Sequence, residues 1–242
     1  MSDTTTRSVL QTGRPLDERG EPAGGPALEL EPDGRAATLL GESPRALAAS
    51  PGAGTWATLL ERPDEGETDR PVVLQWLAPD ASQPPEHTHP TSETFEAVSG
   101  ELTVVRDGTA AVLTPGESAT VGSGVSHTFR NDTDETVAFR ARLPSMRTVR
   151  ALYSVWGMDQ EGVFGEGPPG SADRYGEPGP LRALLLTESL RGETTMTATP
   201  PAVQRVLWAT VGRLARTAGY RAVDGRYLVD EFWAERVEQP PL

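Results

Sequence analysis

Six short segments lie between Glu93 and Arg142, and they limit the fold more than any other feature. They are Thr94–Ser99, Glu101–Arg106, Thr109–Leu113, Ser118–Val121, Ser126–Arg130 and Thr136–Arg142. Turn formers cut them apart at Ser99–Gly100, Asp107–Gly108, Pro115–Gly116, Gly122–Gly124 and Asn131–Asp134. Gly and Asn reach the positive φ of tight reversals, and Pro pre-sets a turn. Helices run to roughly ten residues or more, so segments this short read as strands. Short strands at near-regular spacing close into an all-β sandwich or barrel. Upstream, Thr55–Glu61 and Pro71–Leu77 (PVVLQWL) read as further strands. In Ala27–Leu40, Asp33–Gly34 between apolar runs predicts a hairpin.

The flanks differ. Residues 1–24 are polar, rich in Gly and Pro, and aperiodic, which predicts a flexible N-terminal tail. The β domain then spans 25–145, and 146–242 form a helical C-terminal extension. Within the extension, Met146–Trp156 reads as a helix. Residues 157–180 hold seven Gly and four Pro and read as a loop, with GPPG as a linker signal. Leu181–Leu190 is more helix-like than strand-like. Pro201–Ala218 is the strongest helix: Val203, Val206, Leu207, Val211, Leu214 and Ala218 recur at helical spacing. Pro201 suits its first turn and Gly219 its stop. Tyr227–Val237 reads as a last short helix. The apolar stripe of 201–218 requires burial, on the barrel or on a second copy of the chain.

Composition narrows the function. The chain has 242 residues and a formal net charge of −13. Phosphate backbones attract positive surface, so nucleic acid is not an expected partner. There is no cysteine, which excludes disulfides, thiolate nucleophiles and Cys-type zinc sites. No apolar run nears the roughly 18 residues of a membrane span. The first twenty residues lack an apolar signal core. A cytoplasmic protein with no membrane partner is expected. All basic residues are Arg, and the runs Arg140, Arg142, Arg147, Arg150 and Arg205, Arg213, Arg216 read as surfaces balanced by the acidic surplus.

The chain has three histidines, and all fall into one pattern. His87 and His89 sit two apart, so on a strand both rings point to one face. Glu93 follows four residues later, and a short turn could bring its carboxylate alongside. His127 opens the later segment SHTFRN, which a jelly roll could place across the same interior. Three imidazoles and a carboxylate suit a transition-metal ion. Four protein ligands on a six-coordinate metal leave two positions for water, dioxygen or a chelating substrate. No Ser-His-Asp triad is available, since every His is committed.

These residues resemble the two sequence motifs of the cupin superfamily. The first is Gly, five residues, His-x-His, three or four residues, Glu, six residues, Gly. It reads here as Ala81, His87, His89, Glu93 and Gly100. The second is Gly, five residues, Pro-x-Gly, two residues, His, three residues, Asn. It reads here as Gly116, Gly122, Gly124, His127 and Asn131. Ala81 and Gly122 depart from the pattern at turn positions. The resemblance implies a mainly β fold, a cupin-type jelly-roll barrel of the single-domain kind, with a C-terminal α-helical appendage. It implies that His87, His89, Glu93 and His127 hold iron, manganese, nickel, copper, cobalt or zinc. Cupins often pair through barrel strands, so a homodimer is expected.

By strand parity Phe95 shares the face of Glu93, and Phe129 that of His127. With Trp76 they are candidate walls of a substrate pocket. The expected function is a metal-dependent, dioxygenase-like oxidoreductase acting on a small organic molecule. The alternative is a non-catalytic module that binds a small molecule, with metal as anchor or structural ion.

Overall fold

The structure, a computed structural model, describes residues 9–65, 68–166 and 172–241. Strands β1 (Leu10–Thr12) and β2 (Leu28–Leu30) precede helix α1 (Arg35–Gly41). Then come β3 (Ala48–Ser50), β4 (Thr55–Glu61), β5 (Val72–Leu77), β6 (His87–Thr88) and β7 (Glu93–Ser99). After these follow β8 (Leu102–Arg106), β9 (Thr109–Leu113), β10 (Ser118–Val121), β11 (His127–Arg130) and β12 (Val137–Arg142). The extension supplies α2 (Met146–Gln160), α3 (Pro180–Ser189), β13 (Thr195–Met196), α4 (Pro201–Leu207), α5 (Arg213–Thr217) and α6 (Asp230–Ala234).

Two antiparallel sheets form a β-sandwich. One has six strands in the order β10-β7-β12-β5-β4-β3, and the other five in the order β13-β6-β11-β8-β9. The non-sequential order is the jelly-roll signature, with chain neighbours β6 and β7 falling in different sheets. The expected strands agree with the observed ones to within a residue, and Thr55–Glu61, Thr109–Leu113 and Ser118–Val121 coincide.

The N-terminal segment departs from the expected flexible tail. β1 pairs with β2, and Thr12 is buried. Gly13 N–H donates to the Glu238 carbonyl (3.0 Å) and Leu16 N–H to the Arg236 carbonyl (2.8 Å). Arg14 grips the Glu238 carboxylate with two bonds of 2.8 Å. Partners more than 200 residues away supply this order, so local composition could not show it. Residues 1–8 lie outside the described residues.

The Asp33–Gly34 hairpin is also corrected. Gly34 is the N-cap of α1, whose Ala36, Ala37 and Leu40 are buried. Alanine and leucine favour helix, and burial of that face decides the contest.

The division at 145/146 does not divide the core. Tyr153, Trp156, Tyr227, Phe232, Trp233 and Val237 share one hydrophobic cluster with barrel residues such as Trp56, Leu74 and Phe139. The start of the expected 157–180 loop is helical, because α2 runs on to Gln160. Gly157 is what allows this: a Cβ there would sit 2.0 Å from the Tyr227 ring. The GPPG segment lies outside the described residues.

The stripe on 201–218 faces outward. Val206 is 60% exposed and Leu214 68%, with Val203 and Leu207 also exposed. The buried side is Gln204, Trp208, Gly212 and Ala215. A π-turn over Trp208–Gly212 joins α4 to α5. Val203 and Val206 before this turn and Leu214 after it are all exposed, so the stripe keeps one face across it.

Candidate metal centre

β6 and β11 are antiparallel neighbours, and their register sets His87 directly opposite His127. Ring centroids are 4.4 Å apart for that pair, 4.8 Å for His87–His89 and 5.2 Å for His89–His127. Glu93 opens β7 in the facing sheet and reaches across to them. The turn holding this crossing is tied by Gly124 N–H to the His89 carbonyl (2.7 Å) and Ser123 Oγ to the Pro90 carbonyl (2.8 Å). Gly124 sits at φ +77°, a conformation that costs glycine little. Asn131 closes the second motif structurally: its amide donates to the carbonyls of Leu77, Ala78 and Glu135.

Each histidine Nδ1 meets a main-chain carbonyl. The distances are 2.7 Å for His87 to Pro85, 3.0 Å for His127 to Val125 and 3.0 Å for His89 to Glu193. A carbonyl only accepts, so this assigns the proton to Nδ1 and leaves the Nε2 lone pairs for the cluster. One donor atom from each of the four residues lies within 4.8 Å of the others. Glu93 Oε2 is 2.8 Å from His127 Nε2 and 3.3 Å from His89 Nε2. Lone pairs aimed at a buried carboxylate require something positive between them, a proton or a cation. The donor set therefore fits a transition metal, and His87, His89, Glu93 and His127 form a site that could hold one.

The electrostatics follow from burial. Burial pushes the partly exposed His87 down to about 4, so it is neutral at pH 7. Burial alone would raise the Glu93 carboxyl, but His127 and His89 outweigh it and hold it at about 2. Burial opposes charge on His127, yet its bond to Glu93 lifts its pKa above the ordinary value. Glu93 is thus an anion, and proton and metal compete for one place.

The expected pocket walls separate. Phe95 is fully buried, with its ring 5.2 Å from Phe129 and 6.3 Å from His127. Phe139 joins them at 5.1 Å from Phe129. Trp76 does not belong to this wall. Its register partners are Trp56 and Ala138, while its neighbour Gln75 pairs with Phe139. Successive strand residues point to opposite faces, so Trp76 lies on the far side of the sheet and Gln75 on the lumen side. Every residue of β5 is buried, so its sequence carried no alternation to reveal this. Glu96 points away from the cluster and pairs with Arg35 (2.7 Å) and Arg140 (3.4 Å). A groove of about 300 Å³, lined by Pro84, Glu86, Val105, Thr128 and Arg130 among others, opens on the outer face of the five-stranded sheet.

Sequence reasoning missed Glu193 and Thr194. Thr194 Oγ1 lies 3.1 Å from His89 Nδ1, beside the Glu193 carbonyl. Nothing in the local sequence signals a contact spanning some hundred residues.

Residues 73–141 match the family model described as "Cupin domain", and this stretch is a cupin domain. Among solved structures the chain is similar to a sugar phosphate isomerase of the cupin superfamily from Silicibacter pomeroyi. The two are 27% identical over 41% of this chain and 71% of that one, with a TM-score of 0.32. It is similar to the Cupin_2 domain of an XRE family transcriptional regulator from Enterobacter cloacae, at 26% identity over 36% and 93%, TM-score 0.32. It is also similar to the polyketide cyclase RemF from Streptomyces resistomycificus, at 23% identity over 40% and 71%, TM-score 0.34. No curated protein matches the chain. No helix among the described residues is long and apolar enough to cross a membrane.

Proposed function

We propose that this protein is a metal-dependent oxidoreductase, dioxygenase-like in chemistry, acting on a small organic molecule in the cupin barrel. The observation that carries the metal reading is the convergence of three imidazole Nε2 atoms and Glu93 Oε2, with each Nδ1 committed to a carbonyl. His87, His89, Glu93 and His127 would hold the divalent ion. The ion would act as a Lewis acid and, if iron, manganese, nickel or copper, as a redox partner. The chain's own residues do the rest. Glu93 supplies the one negative charge, which offsets half of the ion's. Phe95, Phe129 and Phe139 exclude water around it, which strengthens electrostatic effects there. Half-buried His87 lies on the side most open to an incoming ligand.

The close packing of the three phenylalanines favours a second reading, in which the ion anchors a ligand or braces the barrel without turnover. Elemental analysis of purified protein, with a His87→Ala, His127→Ala double variant, tests the metal. Near-stoichiometric metal lost in the variant supports the site, and none in the parent after reloading removes it. Oxygen uptake by the iron, manganese, nickel and copper forms, over phenolic, thiol and keto-acid substrates, then separates the readings. No uptake across that panel leaves the binding module.

A further inference from the structure

We propose that the C-terminal extension is a working part of the metal centre, through Glu193 and Thr194 acting as positioning residues for His89. This rests on the metal reading above and adds its control by a distant segment.

The contacts form one continuous chain. His89 is buried, and its Nδ1 faces the Glu193 carbonyl at 3.0 Å and the Thr194 hydroxyl at 3.1 Å. Thr194 is itself buried. His87 and His127 take their carbonyl partners from two residues upstream, in the segments that lead into their own strands. His89 alone of the three is oriented from outside the barrel. Glu193 is pinned in turn, because its carboxylate accepts from Ser145 Oγ (2.7 Å) and Thr148 Oγ1 at the start of α2. Downstream, β13 adds to the edge of β6, with Met196 opposite His87 and Thr195 opposite Thr88. Thr197 then donates twice to the Glu86 carbonyl, each at 3.0 Å. Gln204 on α4, buried, holds the Met196 carbonyl at 2.8 Å.

The segment 193–197 thus orients one candidate ligand and pairs with the strand carrying another. A ligand histidine freed from its outer partner loses its fixed tautomer and ring orientation, and metal affinity commonly falls about 10- to 100-fold. Linkage makes the effect reciprocal: a metal that prefers the oriented His89 holds the segment down by the same factor. The extension is then a clasp whose closure and metal occupancy favour each other. Its hinge has a natural reporter, since Arg191 and Gly192 are exposed and a protease cutting after arginine can report on opening.

The experiment uses the full chain and Co2+ as the probe. Affinity is measured by titration for the parent, Thr194→Val, Thr194→Ser, Glu193→Ala and His127→Ala. Cleavage after Arg191 by trypsin is followed by mass spectrometry with and without Co2+. Thr194→Val and Glu193→Ala should weaken Co2+ binding about tenfold, with Thr194→Ser near the parent. Co2+ should slow cleavage after Arg191 in the parent, and less so in the two weakened variants. Parent-like affinity in both variants, with cleavage indifferent to Co2+, overturns the coupling while the metal centre stands. A parent that binds Co2+ no better than His127→Ala overturns the centre and the coupling together. If Thr194→Val fails to fold, protection of Arg191 in the parent decides the question.

Discussion

On the inner face of the six-stranded sheet, Glu93, Phe95, Ala97 and Phe139 turn toward three histidines; on the outer face, Trp56, Trp76 and Ala138 turn toward the chain's ends. Both faces are buried, and they do opposite work. The inner face tolerates a buried carboxylate because imidazoles surround it. On the outer face the Trp56 indole donates to the Gly13 carbonyl (2.9 Å) and the Trp233 indole to that of Tyr227 (2.8 Å), while the buried Trp76 indole N–H has no hydrogen-bond partner among the described residues. Burial on both sides makes the extension part of the stabilising core. Stability should therefore follow the outer face, and metal binding the inner one.

The largest test of that division is Trp76→Ala. It removes a fully buried indole, and a loss of about 4 kcal/mol is expected in urea unfolding. The variant that remains folded should still bind metal. An unchanged midpoint, or metal lost from a folded variant, breaks the division. Gly157→Ala comes next. Its methyl must displace the Tyr227 ring, at a cost of about 3 kcal/mol. Thermal melts read this, and a neutral result would mean that the Tyr227 ring does not fill the space a Gly157 methyl needs.

On the inner face, metal added at a hundred times its dissociation constant should stabilise the parent by about 2.7 kcal/mol. His127→Ala should lose that gain, and chelation of the parent should reverse it. Equal stabilisation of the variant would place the metal elsewhere.

A subtler test uses Asp159 of α2, fully buried beyond the sheet's edge. It accepts 2.8 Å bonds from Ser50 Oγ and from the N–H groups of Gly52 and Gly176. Burial outweighs those bonds and lifts its pKa above the ordinary 3.8. The folded state thus holds this proton more tightly than the unfolded one. The advantage is complete below pH 3.8 and is lost as pH rises through the folded value. Compared with Asp159→Asn, the parent should lose stability over that acid window and then run parallel. Parallel curves throughout would show an unshifted carboxyl. The smallest effect belongs to Val206→Glu or Leu214→Glu on the exposed stripe, within about 0.5 kcal/mol. A loss of several kcal/mol, or a change in mass by light scattering, would reveal a covered face.

Much of the inner face was legible because its information is local. His-x-His at strand spacing fixes two rings on one side, and turn residues mark where each strand stops. The cupin motifs then joined His127 to them. Trp76 was misplaced because every residue of its strand is buried, so even its one polar residue, Gln75, marks no solvent face. The 201–218 stripe is not buried on the barrel, because Trp208, bonded to Thr187, and Gln204 turn another side of the helix inward. Glu193, Thr194 and the N-terminal segment escaped for a common reason. Their partners lie a hundred or more residues away, and no local pattern encodes such pairings.

The clasp of Gly13 and Arg14 by Glu238 also sets a timetable. During synthesis the backbone groups of residues 13–16 emerge more than 200 residues before those that satisfy them. The Trp56 ring, whose indole N–H bonds Gly13, waits beside them. The strands from Leu28 to Arg142 can associate while the ribosome is still working, but β13 and the 236–238 segment arrive late. Nascent chains stalled near residue 190 should expose the edge of β6 and the outer tryptophans together. At that stage the chain is most open to intermolecular strand pairing and to capture by chaperones.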